Sequence, residues 1–152
     1  MKILQKEVLA PDIVRFVVTA PHIAVKAQPG HFVIVRHKAT GERIPLTLAD
    51  FDGEGGTITL VIQGVGQSTI EMNELKVGDK FTDILGPLGE PFIPENYGTV
   101  LCVAGGLGVA PLFPKIKALH KLGNRVISLV GAQRRDMLIM LDDIRTVSEQ
   151  LH

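Results

Sequence analysis

Only one cysteine, Cys102, stands in the 152 residues. That excludes an internal disulfide framework, and one thiol cannot hold an iron–sulfur cluster alone. Net charge is lacking too: 16 Lys and Arg cancel 16 Asp and Glu. Zero formal charge disfavours nucleic acid as a partner, because phosphate neutralisation needs a basic surplus on some face. The histidines at 22, 31, 37, 120 and 152 show no metal-ligand spacing. No run is long and apolar enough to span a bilayer, and residues 1–9 (MKILQKEVL) lack the apolar core and cleavage site of a signal peptide. The sequence therefore reads as a cytoplasmic protein with neither a membrane nor a nucleic acid as partner. With 45% apolar and 21% charged residues the balance is that of a folded chain, long enough for one domain or for a small domain and part of another.

What is present divides into two rhythms. Up to about residue 97, short apolar runs alternate with turn residues, the pattern of a sandwich or barrel. Val14, Phe16 and Val18 alternate along one run; 31–35 follows the turn Pro29–Gly30; 45–51 ends at a polar cluster; 57–63 is rich in β-branched residues; 80–85 is closed by the glycine–proline corner 86–89. A helix is expected at 68–75. These runs predict about six antiparallel strands closed into a small barrel. From residue 98 the pattern changes to β–α–β–α: an apolar strand at 100–104 expected to be buried on both faces, a glycine turn, a helix at 110–122, a strand at 125–131 and a second helix at 136–151. That is the opening of a doubly wound parallel sheet. Two parallel strands leave an open edge and bury little, so the sequence is expected to be one part of a longer or split protein.

Four constellations carry chemistry. Arg43–Ile44–Pro45–Leu46–Thr47 puts a guanidinium, suited to a pyrophosphate, before a strand that offers a hydroxyl at Thr47; a solvated arginine beside an edge strand fits the same residues. Gly64–Val65–Gly66–Gln67–Ser68–Thr69 joins a strand to a helix, with Ser68 as expected N-cap and Glu71 three residues on. Unpaired N–H groups there would suit an anion, and Ser68 capping only its own helix is an equal alternative. Gly105–Gly106–Leu107–Gly108–Val109–Ala110–Pro111 is a glycine turn between a buried strand and a helix. It departs from the usual dinucleotide fingerprint, and a plain tight turn is the other reading. Gln133–Arg134–Arg135 follows the second parallel strand, where arginine can accommodate a ribose 2′-phosphate, or simply form an exposed basic turn. Cys102 is expected to pack as a small hydrophobe.

In this order the motifs resemble the ferredoxin–NADP reductase superfamily: Arg-x-Pro-Leu-Thr, Gly-x-Gly-x-Ser-Thr, Gly-Pro-Leu-Gly, then Gly-Gly-x-Gly-x-Ala-Pro. Within it the chain is similar, over nearly its whole length, to electron-transfer subunits of dihydroorotate dehydrogenase. It is similar also to the small subunit of sulfide dehydrogenase (NADH-dependent reduced ferredoxin:NADP oxidoreductase). The resemblance implies a six-stranded Greek-key barrel that binds FAD (1–97), then the first half of a Rossmann-like NAD(P)H domain (98–152). It implies Arg43 on the FAD pyrophosphate, Pro45, Leu46 and Thr47 against the isoalloxazine, and Thr47 near the reactive N5. Val61, Ile62 and Gln63 would flank the ribityl and adenosine parts. Gly66, Gln67, Ser68 and Thr69 would hold the pyrophosphate, and Gly105, Gly106, Gly108, Ala110 and Pro111 the nicotinamide nucleotide, with Arg134 and Arg135 near its ribose. The implied function is electron transfer between NAD(P)H, FAD and a flavin or iron–sulfur partner subunit, or a ferredoxin-like carrier. A non-catalytic module docking a partner through the open sheet edge is the alternative. Leu46 stands where many members have a flavin-stacking tyrosine, and Arg43 lies four residues before Thr47 rather than three. The cysteines of the family's 2Fe–2S cluster, expected only in a longer form, are absent here.

Overall fold

A computed structural model describes all residues from Met1 to His152. The first part comprises β1 (Ile3–Ala10), β2 (Ile13–Thr19), a short helix α1 (Pro21–Ala24), β3 (Phe32–Arg36), β4 (Ile44–Asp52), β5 (Thr57–Gln63), α2 (Gln67–Glu74) and β6 (Asp83–Leu88). The second comprises β7 (Thr99–Gly105), α3 (Val109–Lys121), β8 (Arg125–Gly131), α4 (Leu141–Arg145) and β9 (Gln150–Leu151).

The six-stranded antiparallel sheet runs in the order β1-β2-β5-β4-β3-β6. It is drawn round by a bridge between Lys2 and Lys80, with Ile3 N donating to Asp79 O at 2.8 Å and Phe81 N to Met1 O at 3.0 Å. Alternation explains the inside: Val14, Phe16 and Val18 of β2 lie beside their β5 partners Ile62, Leu60 and Ile58 on the inner face, with Leu48 of β4 in the same core. Phe16 and Phe81 meet edge to face, ring centroids 6.0 Å apart. β1 is a strand with an exposed, charged outer side that the alternation reading passed over. The last barrel strand also lies later than the expected 80–85, because the Gly86–Leu88 stretch continues the ladder, Leu88 pairing with Phe32.

β7, β8 and β9 form a parallel sheet in that order. The expected helix over 136–151 is absent. A 3-10 turn (Arg135–Met137) and the five-residue α4 replace it, and Met140, at φ 56°, breaks any longer helix. The chain then pairs with β8: Glu149 N donates to Val126 O at 2.9 Å and His152 N to Ser128 O at 2.9 Å. Backbone groups on the edge of β8 need partners, and that demand outweighs the weak helical preference of Thr146 and Val147. The expectation that 100–104 is buried on both faces is corrected as well. Cys102 and Ala104 pack under α3, whereas Leu101 and Val103 are 64% and 61% exposed. Burial pushes the Cys102 thiol up, as befits a packing residue. No helix is long and apolar enough to cross a membrane.

One apolar joint unites the two parts. Ala10, Ile13, Ala49 and Val61 from the outside of the barrel pack with Phe113 and Ile116 of α3 and with Ile139, Met140 and Ile144 around α4. Lys117 Nζ adds an ion pair to Asp50, 2.7 and 2.8 Å from its two carboxylate oxygens.

Candidate functional site

Two hollows gather some of the residues singled out by sequence. The first is a polar hollow of about 500 Å³ lined by Lys38, Thr40, Gly41, Glu42, Gly66, Gln67, Ser68 and Glu71. It opens at the start of α2. Gly66, not Ser68, is the N-cap of α2, and this corrects the expected capping box. Thr69 Oγ1 accepts from the N–H groups of Val65 and Gly66, both at 3.0 Å, and donates to Gly66 O at 2.9 Å. Ser68 is freed from capping and donates from Oγ to Glu42 at 2.6 Å. A side chain at Gly66 would meet nothing within 4 Å, so that glycine opens straight into the hollow.

Around this hollow Glu71 and Asp83 each hold more than one partner. Glu71 is held down to about 2, first by Lys38 and then by His37 and Gln67. His37 Nε2 lies 2.7 Å from that carboxylate, while its Nδ1 is buried with no partner, as is Arg36 Nε. Arg43, half exposed, donates to Asp83 at 3.0 Å, and Asp83 also lies 3.7 Å from Arg36. A second cation on Asp83 means that Arg43 can change partner without stranding the acid.

Next to Arg43, the alternation of β4 sends Pro45 and Thr47 outward and turns Leu46 half-buried onto the barrel core. The Leu46 side chain is thus largely engaged with the barrel core. Val61 is buried in the joint, Ile62 inside the barrel, and only Gln63 of the three reaches an open cleft.

That cleft, about 600 Å³, is the second hollow. It runs between barrel ends Ile13 and Gln63 and the turns after β7 and β8: Gly105, Gly106, Leu107, Gly131, Ala132, Gln133 and Met137. Crevices at the carboxyl ends of parallel strands are the usual ligand position in open α/β sheets. Gly106 takes φ 51° to turn the chain there, and side chains at Gly105, Gly106 or Gly131 would meet nothing within 4 Å. Gly108 and half-buried Pro111 lie outside the lining, and Ala110 is buried against the joint, facing away from the cleft. Arg134 and Arg135 are exposed beyond the rim, and Arg134 is forked onto Asp136 at 3.0 and 2.8 Å. Ile13, Leu107, Ala132 and Met137 carry no polar signal, so only the meeting of the two parts exposes them as lining.

No protein-family model matches the chain. Curated relatives do. The dihydroorotate dehydrogenase B (NAD(+)) electron transfer subunit homolog of Thermotoga maritima is 43% identical over 150 residues, covering 99% of this chain and 53% of that protein. The corresponding electron transfer subunit of Bacillus caldolyticus is 34% identical over 128 residues, 80% of this chain and 49% of that one. Among solved structures, NADH-dependent reduced ferredoxin–NADP oxidoreductase, described for flavin-based electron bifurcation, superposes with a TM-score of 0.93 at 43% identity. The match covers 99% of this chain and 54% of that one. The chain is a homologue of these electron-transfer subunits. It spans about half the length of the relatives it matches. Phthalate dioxygenase reductase, at 17% identity and a TM-score of 0.77 over 99% of this chain and 50% of that one, shares its fold. The ferredoxin-reductase architecture of barrel followed by parallel sheet is therefore this chain's own.

Proposed function

We propose that this chain is the flavin-binding part of an electron-transfer oxidoreductase subunit, with residues 1–97 as the FAD unit and 98–152 as the opening of an NAD(P)H unit. The observation that carries the reading is the glycine-floored cleft between barrel and parallel sheet, flanked by a polar hollow at the start of α2. The donor set suits a diphosphate. Arg43 can turn from Asp83 to donate two parallel N–H bonds. The hydroxyl of Ser68 and the first-turn N–H groups of α2 add neutral donors where the helix dipole favours an anion. Outward-facing Pro45 and Thr47 supply a flat apolar surface and one hydroxyl for the flavin ring, and Gln63 an amide on the wall of the cleft.

Bound together, nicotinamide and flavin supply hydride exchange followed by single-electron release; the protein's share is to hold the rings and keep water from the joint. Electrons would pass to an iron–sulfur or flavin partner subunit, or to a ferredoxin-like carrier. The relatives' names, an NAD(+)-linked electron transfer subunit and an NADH-dependent oxidoreductase, favour that assignment. The second reading, a module that docks a partner without redox work, draws on the uncovered apolar face of β7 and β8, where Leu101, Val103 and Leu129 are exposed.

Reconstitution with FAD tests the proposal. The purified chain is expected to turn yellow and retain flavin through gel filtration. Arg43→Ala is expected to weaken FAD binding by about ten- to a hundredfold, the worth of a charge-assisted hydrogen bond. A protein that takes up no FAD overturns the flavoprotein reading. FAD uptake without reduction by NADH or NADPH favours the docking module.

A further inference from the structure

The face of the barrel that seats the parallel sheet is built from alternate residues of two neighbouring strands. Ile13 and Arg15 on β2 pair with Gln63 and Val61 on β5. Ile13 and Gln63 line the cleft, and Val61 is buried in the joint. Arg15 is the charged member of this face. Its Nε donates to Glu7 Oε2 at 2.9 Å, Nη2 contacts the same oxygen, and Nη1 donates to Asp143 Oδ2 of α4 at 2.8 Å. Glu7 lies directly opposite Arg15 on β1, so it fixes the guanidinium in place while the free arm reaches across the joint. Arg145, which lines a surface depression together with Glu7, Arg15 and Asp143, is paired with Asp142 and leaves this trio alone. One cation therefore bridges two carboxylates that belong to the two sides of the joint.

We infer that Arg15 is a positioning residue, a latch that sets the width of the cleft by holding α4, and through it Met137 and the turn after β8, against the barrel. Its consequence for ligand binding rests on the reading of the cleft as a nucleotide site. Without Arg15, Glu7 and Asp143 lose the cation they share, and two like charges are left on the two sides of the joint, an arrangement that favours separation. This arrangement gives the latch a signature that a merely stabilising pair lacks. Removing the second charge as well should repair the damage.

The test uses the full chain loaded with FAD, titrated with NADH by calorimetry, together with amide hydrogen exchange over residues 138–147. Arg15→Met is expected to speed exchange in that segment severalfold and to weaken NADH binding by on the order of tenfold, with FAD affinity unchanged. Arg15→Lys, which keeps the charge, should fall between parent and Arg15→Met. Adding Asp143→Asn to Arg15→Met should return both exchange and NADH affinity toward the parent. Unchanged exchange in Arg15→Met overturns the latch, and so does a double variant worse than the single one. A loss of FAD affinity as large as the loss of NADH affinity also overturns it. If the parent itself binds no NADH, the nucleotide reading of the cleft falls, and the exchange pattern alone decides the latch.

Discussion

Lys38, His37 and Gln67 converge on the single carboxylate of Glu71 and hold it at about 2, against an ordinary value of 4.5. A carboxyl depressed in the folded state contributes stability in full above its unfolded value and loses it as pH falls toward the folded one. Glu71→Gln is therefore expected to melt at a lower temperature than the parent at pH 7, and the difference should vanish as pH drops from about 4.5 to 2. Thermal scans at several pH values check this. Thr69 is the residue that organises the α2 start, and Thr69→Ala is expected to cost about 1 kcal/mol in chemical denaturation. Sequence reasoning located this corner but chose the wrong hydroxyl. A serine three positions before a glutamate looks like a capping box, yet the corner residues Val65 and Gly66 direct their N–H groups at Thr69, and Ser68 is drawn to Glu42. Arg43 stands out in sequence as a guanidinium leading a strand, and the structure leaves it half exposed and paired with Asp83. The burial of the Leu46, Val61 and Ile62 side chains was not legible, because a motif names residues without saying which face of the strand each occupies.

At the scale of elements, the join between α3 and β8 depends on Asn124. Its buried side chain donates to Glu95 O and Leu119 O, both at 2.9 Å, and accepts from Tyr97 N at 2.7 Å. Asn124→Ala removes three hydrogen bonds, one buried and two part-buried, and is expected to cost about 2–4 kcal/mol, read from urea unfolding. Gly105, extended at φ −115° with open space beyond its Cα, allows a cleaner experiment. Gly105→Val should fold normally and bind FAD as the parent does, yet fill the cleft and lower NADH affinity by at least about tenfold, the loss expected when bulk displaces ligand contacts. Strands β2, β5, β7 and β8 and helices α2 and α3 were readable from period and punctuation. β9 was not: its two residues carry no pattern, and it exists because β8 offers an unpaired edge.

For the whole molecule, the apolar stripe of Leu101, Val103 and Leu129 on the outer face of the parallel sheet marks a surface prone to association. Sedimentation velocity is expected to show concentration-dependent self-association that weakens when Leu101, Val103 and Leu129 are all replaced by Ser, with no change in FAD uptake. Sequence alone determined the succession of barrel and parallel sheet, the glycine turns and the arginine-led strand, because local period, turn chemistry and charge are properties of neighbours along the chain. Only the tertiary structure decided which glycines floor the cleft, which motif residues turn into a core, and how Arg15 meets Asp143, 128 positions away in the chain. Those outcomes depend on which face of a strand is buried against a distant element. That is settled by burying the joint of Ile13, Val61, Phe113 and Ile144, and no short stretch of sequence encodes it.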